Sequence, residues 1–178
     1  FVSHAVQTAQ LLREDDAYLQ KCADAFLENI ALTCGATYGS DGTIIGGNLT
    51  GRALLTAVAP VAQQITQIQS EVPVLEHIVF NSANKFSAVR TADVSCYLGA
   101  PEVVLSHAKY YLDETGNIVP LNHNMIAELI KQNASRAMRL VATAYSASWA
   151  TDEKLPDDLV LVSVVAMRDQ VRPGVSDV

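Results

Sequence analysis

The chain has 178 residues, 49% of them hydrophobic and 17% charged, with 12 Lys and Arg against 19 Asp and Glu for a formal charge of −7. That length holds one domain with a sizeable core, and the apolar content excludes a disordered tail. The acidic balance excludes nucleic acid and anionic membrane surfaces as main partners, because both require a positive field.

From Asp15 to Cys34 the apolar residues Leu19, Ala23, Phe26, Leu27 and Ile30 recur at steps of three and four, which predicts a first helix, with Glu14, Asp15 and Asp16 at its positive end. The stretch CGATYGSDGTIIGGN is rich in turn formers and reads as a loop. Thr50 is expected to cap a second helix from about Gly51 to Gln69, kinked or divided by Pro60. After Pro73 the runs VLEHIVF, FSAVR and VSCYL are rich in β-branched and aromatic residues and predict antiparallel strands.

Pro101 suits the first position of a helix from about Pro101 to Tyr110. DETGN predicts a hairpin turn, and Asn122 can cap a helix whose Met125, Ile126, Leu129 and Ile130 share a face. RLVATAYSA and LVLVSVVAM complete the sheet; the second run, Leu159 to Met167, is about half the length needed to span a bilayer. The expected fold is α+β in αβα layers, a mainly antiparallel β-sheet with helical hairpins packed on it, in a single domain covering 1–178.

Several chemical motifs fail on inspection. GGNLTGRALL, Gly46 to Leu55, has nearly the spacing of a P-loop, but closes with Arg52 and Ala53 where lysine and a metal-binding hydroxyl belong. SDGTII, Ser40 to Ile45, resembles the Asp-Gly-Thr of haloacid dehalogenase-type phosphatases, yet Gly39 stands where the nucleophilic aspartate would be, so Asp41 and Gly42 read as a turn. The three cysteines (Cys22, Cys34, Cys96) lack CxxC spacing and the four histidines (His4, His77, His107, His123) lack metal-ligand spacing, so surface or structural roles are expected. No catalytic or metal-ligating residue is assigned.

Five ordered elements carry a resemblance: GNLTGRALL, FNSANKFSAVR, YLGAPEVVL, SRAMRLVATAY and MRDQVRPG. Together, from about residue 50 to 174, they resemble the nucleotide-binding domain of P-type cation-transporting ATPases, of the calcium/magnesium-like subgroup. The resemblance implies that the chain binds MgATP and presents the γ-phosphate to an aspartate outside this chain, in the DKTGT sequence of a phosphorylation domain. It also implies a bacterial-type, heavy-metal-unlike parent in the cell membrane, of which this is a cytoplasmic domain without membrane contact of its own. The partners implied are ATP and ADP and the phosphorylation and actuator domains of the same parent chain. Segments 1–10 and 169–178 would be hinges toward the phosphorylation domain, and the fragment alone is expected not to hydrolyse ATP. The ragged ends, with no initiator methionine, suit an excised domain.

By the same resemblance Phe80 is the ring on which adenine stacks, although periodicity alone reads it equally as core. Lys85 is a pocket lysine, otherwise a solvated strand lysine, and Arg139 supports phosphate or ribose, otherwise a surface ion pair. Gly99 lets a ligand approach the backbone closely, turns strand into helix, or does both. Asn48, in the first element, is placed among the nucleotide-binding residues, and Arg172 at the hinge is expected to reach phosphate oxygens with Asp169 fixing the crossover. Leu98 replaces a family lysine by an apolar wall, Gly51 replaces a glutamate that would bond the adenine edge, and Gln170 replaces a hinge proline. These departures imply a grip by stacking and poor discrimination between bases. Stacking worth ~1–3 kcal/mol and few charged contacts, against an association cost of at least ~4 kcal/mol, imply a dissociation constant of roughly 0.1 to several mM. The alternative is a stand-alone nucleotide-sensing or interaction domain, for which Leu98 and Gly51 are the best support.

Overall fold

The computed structural model describes residues 17–113, 115–134, 138–151 and 154–167. Chain order is α1 (Ala17–Thr33), β1 (Ala36–Tyr38), β2 (Ile44–Gly46), α2 (Leu49–Ala57), a 3₁₀ turn (Ala59–Val61), α3 (Ala62–Glu71), β3 (Glu76–Ile78), β4 (Phe86–Arg90), β5 (Ser95–Gly99), α4 (Pro101–His107), β6 (Ala108–Leu112), β7 (Ile118–Pro120), α5 (His123–Ala134), β8 (Arg139–Ser146) and β9 (Leu159–Met167). The strands β3-β4-β5-β8-β9-β6-β7 form one sheet of seven in that spatial order, while β1 and β2 pair separately. Within the large sheet β6 and β9 are parallel and every other pairing is antiparallel.

The sheet is covered on both faces. Alternate strand residues point to opposite sides, so Leu98 and Val141 join the core beneath α1, α2 and α3, with Leu27, Ile30, Leu54 and Ile65. Their neighbours Tyr97 and Ala142 join the other core, with Phe86, Val104, Ile126 and Leu159 under α4 and α5. This is the expected layered α+β arrangement, and it explains the unbroken apolar run of β9, which has no solvated face for most of its length.

Local differences from the sequence reading have identifiable causes. Within the expected loop, β1 and β2 pair as a hairpin. Its turn is set by Asp41, whose Oδ1 accepts from the Thr43 amide at 3.0 Å and the Thr43 hydroxyl at 2.6 Å. The second helix begins two residues earlier than expected, because Asn48 and not Thr50 is its cap: Asn48 Oδ1 accepts from the Gly51 amide at 2.9 Å. Pro60 divides it, as expected, into α2 and α3 through the 3₁₀ turn. The run Val74–Phe80 shrinks to β3, since the chain leaves the ladder after Ile78 and turns at Asn81, whose side chain accepts from the amides of Ala83 and Asn84 at 3.0 and 2.8 Å.

The helix expected to reach Tyr110 ends at His107, where the following Ala108–Leu112 is taken into the sheet beside β9. Parallel pairing and burial of Ala108 and Leu112 override helix propensity there. Arg172, Asp169, Gln170, Ser135 and the segments 1–10 and 169–178 lie outside the described residues.

Candidate functional site

The GGNLTGR stretch that mimics a P-loop has a structural explanation in every residue that matters. Asn48 caps α2. Arg52 donates through Nη1 to the carbonyl oxygens of Ile44 at 2.7 Å and Gly46 at 3.3 Å, tying α2 to the hairpin. Gly51 faces the end of α1 so closely that a Cβ there would lie 2.0 Å from the Cys34 carbonyl oxygen. Its lack of a side chain is therefore a packing requirement, and the family glutamate could enter only if α2 moved away from α1.

A cleft of about 870 Å³ opens on the α1 face of the sheet. Thr33, Cys34 and Gly35 at the end of α1 and Gly47, Asn48, Leu49 and Thr50 at the start of α2 form one wall; His77, Val79 and Phe80 form another. The floor is Ser87, Leu98, Gly99 and Ala100, and Arg139, Leu140 and Val141 close the far side. The antiparallel pairings β3-β4-β5-β8 bring the end of β3, the end of β5 and the start of β8 to the same edge, which is why residues 80, 99 and 139 meet. Ser87 Oγ donates to the Thr33 carbonyl at 3.2 Å, fixing the end of α1 over the floor.

Five of the seven sequence-predicted residues line this cleft: Asn48, Phe80, Leu98, Gly99 and Arg139. Phe80 is 46% exposed, so the ring is not sealed in the core. Leu98 is 6% exposed and acts as floor, packed with the α1-side core. Arg139 is exposed at the far side.

Gly99 lines the cleft, and its missing Cβ is also a packing requirement, because a side chain would meet the Lys85 carbonyl oxygen and Phe86 Cβ, each at 2.8 Å. One expectation needs correction. Lys85 does not line the cleft: its Nζ lies 3.3 Å from Glu102 Oε1, and Glu102 lines a different groove between α4 and α5. The cause is local. Lys85 has φ +58°, donates its amide to Asn81 O at 2.9 Å and accepts from the Ala100 amide at 2.9 Å, and this left-handed turn aims its side chain away. Arg172 lies outside the described residues.

The cleft is electrostatically distinct from the rest of the molecule. In a chain of net charge −7, the described residues that line it include one arginine, one histidine and no carboxylate. The first turn of α2 and the end of α1 both border it, and among the described lining residues Arg139 is the one Lys or Arg. Cys34, in the wall, is buried, and burial pushes its thiol up, so it is a spectator and not a nucleophile. Among the described residues no group of three or more His, Cys, Asp or Glu gathers as a metal site, and no helix is long and apolar enough to cross a membrane.

Sequence reasoning missed His77, Val79 and Leu49. Val79 and Leu49 are 67% and 77% exposed, apolar rims to the cleft. Alternation could not have found His77 and Val79, since counting back from Phe80 puts them on the opposite face; they join Phe80 because the chain leaves the ladder after Ile78.

Comparison with known proteins agrees with this arrangement. The family model for the P-type ATPase cytoplasmic domain N matches residues 22–174. The chain is 32% identical over 151 residues to calcium-transporting ATPase 8, plasma membrane-type, of Arabidopsis thaliana, covering 74% of this chain and 14% of that protein. It is 28% identical over 149 residues to plasma membrane calcium-transporting ATPase 4 of Homo sapiens, covering 74% of this chain and 12% of that one. These relatives are eukaryotic, where the sequence reading expected a bacterial-type parent, and the chain spans only about 14% or less of their length. The matched span contains the whole sheet and both walls of the cleft, and the chain belongs to the family of P-type ATPase cytoplasmic N domains.

Proposed function

We propose that the cleft binds MgATP and that the chain presents the γ-phosphate to an aspartate outside it, as the nucleotide-binding domain of a cation transporter in the plasma membrane. Calcium is the cargo that the names of the relatives support. The observation that carries the reading is an exposed aromatic ring and an arginine bordering one cleft whose described lining holds no carboxylate, in an acidic protein. A volume of about 870 Å³ lies within the range of small-ligand sites, ~300–1,000 Å³.

In this reading the base lies on Phe80 over the apolar floor of Leu98, and the phosphates extend toward Arg139. Asn48 holds the α2 wall in place through its cap, and Gly99 lets the floor close against β4. Lys85, turned toward Glu102 outside the cleft, has no part in this grip; their exposed pairing is worth no more than ~1 kcal/mol. Mg²⁺, when bound with the nucleotide, would neutralise part of the phosphate charge, and Arg139 would supply a further positive charge from the far side of the cleft. The aspartate of the partner domain attacks the γ-phosphorus, the bond to the β-phosphate bridging oxygen breaks, and ADP leaves. A weak grip suits a domain that must hand over a phosphoryl group and then release ADP.

Titration of ATP into the 15N-labelled chain tests this. Saturable shifts with a dissociation constant of roughly 0.1 to several mM are expected, and Phe80→Ala should weaken binding by about fivefold or more, the equivalent of ~1–3 kcal/mol of stacking. An unchanged Phe80→Ala response, or no binding by the parent chain, contradicts the proposal.

A further inference from the structure

Among the described residues His77 is the one ionisable group lining the cleft, apart from Arg139 and the buried Cys34, and the nucleotide reading gives it no role. It is exposed, and among the described residues none hydrogen-bonds to its ring. It sits opposite Val89 in the β3-β4 register, and Val89 shares a face with Ser87, which in turn faces Leu98 on β5. The imidazole is therefore on the cleft side of the sheet. The nearest charges on these strands, Glu76 and Arg90, occupy the opposite face and pair with each other at 2.5 Å.

Strand direction then places His77 relative to a ligand. Phe80 and Arg139 are at the sheet edge where β3 ends and β8 begins, three inter-strand spacings apart, or roughly 14 Å. His77 lies within β3, inward from the point after Ile78 where the chain leaves the ladder for Phe80, and so farther than Phe80 from the sheet edge that carries Arg139. A purine stacked on Phe80 with its phosphate tail drawn toward Arg139 turns its polar edge inward. A neutral imidazole offers one donor and one acceptor, which match the amine and ring nitrogens of that edge.

We propose that His77 is a base-contacting residue, hydrogen-bonded to the purine edge at the end of the cleft remote from Arg139. This rests on the nucleotide reading and deepens it: with Gly51 unable to carry a carboxylate, recognition of the base passes to a side chain on the edge strand.

The test compares ATP with adenosine, which has the base and no phosphate. Affinities of both are measured by NMR titration at pH 8 for the parent chain, His77→Ala, Phe80→Ala and Arg139→Ala, with the amide spectrum confirming that each variant is folded. His77→Ala should weaken ATP and adenosine by the same factor, about 2- to 10-fold, whereas Arg139→Ala should weaken ATP and leave adenosine unchanged. If His77→Ala alters neither ligand while Phe80→Ala weakens both, the His77 assignment is overturned and the nucleotide cleft stands. If His77→Ala weakens ATP alone, the residue serves the phosphates and the assignment is equally overturned. If the parent chain binds neither ligand, the nucleotide reading falls and this inference falls with it.

Discussion

Asn29 shows how much of this molecule rests on single buried polar side chains. It is fully buried on α1, and its Nδ2 donates to the Ala144 carbonyl at 2.6 Å, beside the irregularity where the β8-β9 register shifts. The Thr33 hydroxyl in turn donates to the Asn29 carbonyl at 2.6 Å, just below the cleft wall. Replacing Asn29 by Ala leaves a buried carbonyl unsatisfied, and we expect a loss of about 1–3 kcal/mol in denaturant-measured stability. Glu28, its neighbour, works in the other direction: partial burial, and then the charges of Asp93 and Asp24, raise its carboxyl above the usual value. A raised acid pKa means the folded state resists the charged form, so the penalty is full at neutral pH and disappears as the pH falls below the unfolded value. Glu28→Gln should therefore raise Tm at pH 7 and have little effect near pH 3; a lower Tm at pH 7 would show that the carboxylate is stabilising.

Residue roles at the site were only partly legible. Periodicity leaves Phe80 as either core or surface, and only the ordered motifs single it out; its exposure depends on the Asn81 turn, which pulls the chain out of the ladder. Lys85 was legible as a motif residue, but the positive φ that turns it toward Glu102 has no signature in a lysine. Gly51 reads from sequence as a missing carboxylate, and only coordinates reveal the carbonyl pressed against it.

Among the elements, α2 matters most to the site, because its first turn is a wall of the cleft. Its position depends on the Asn48 cap, on Gly51 against α1, and on Arg52 to the hairpin. Gln69 on α3 adds a further tie, donating to the Ala31 and Ala36 carbonyls at 2.8 Å each and accepting from the Thr37 hydroxyl at 2.8 Å. Asn48→Ala should cost about 1 kcal/mol through the lost cap, and Gly51→Ala about 1–3 kcal/mol through overpacking, both read from urea unfolding. Gly51→Ala should also weaken ATP, since the wall must shift; an intact affinity would mean that α2 is not part of the binding surface. The strands and most helices were legible because alternation and 3.6-residue spacing report burial directly. The ends of α4 and β3 were not, since pairing partners distant in sequence decide where Ala108 and Val79 fall.

At the scale of the whole molecule, the two-faced sheet followed from its sequence: a nine-residue apolar β9 requires cover on both sides. The sheet order did not, because the parallel joining of β6 to β9 depends on the long return through α5 and β8. A cleft without a carboxylate among its described lining residues, in a chain of net charge −7, is likewise a property of the folded chain and not of any segment. No DKTGT sequence occurs in the 178 residues, so the chain by itself should release no phosphate from MgATP in a coupled assay; turnover that survives repurification would contradict the division of labour proposed for it.

The most direct test of the central claim is a residue-resolved map of ATP binding by amide chemical shifts. Shifts should concentrate at 33–35, 47–50, 77–80, 98–100 and 139–141, five segments distant in sequence that meet only in the cleft. Shifts centred instead on the groove between α4 and α5, around Ser106, Ile126 and Lys131, would contradict it.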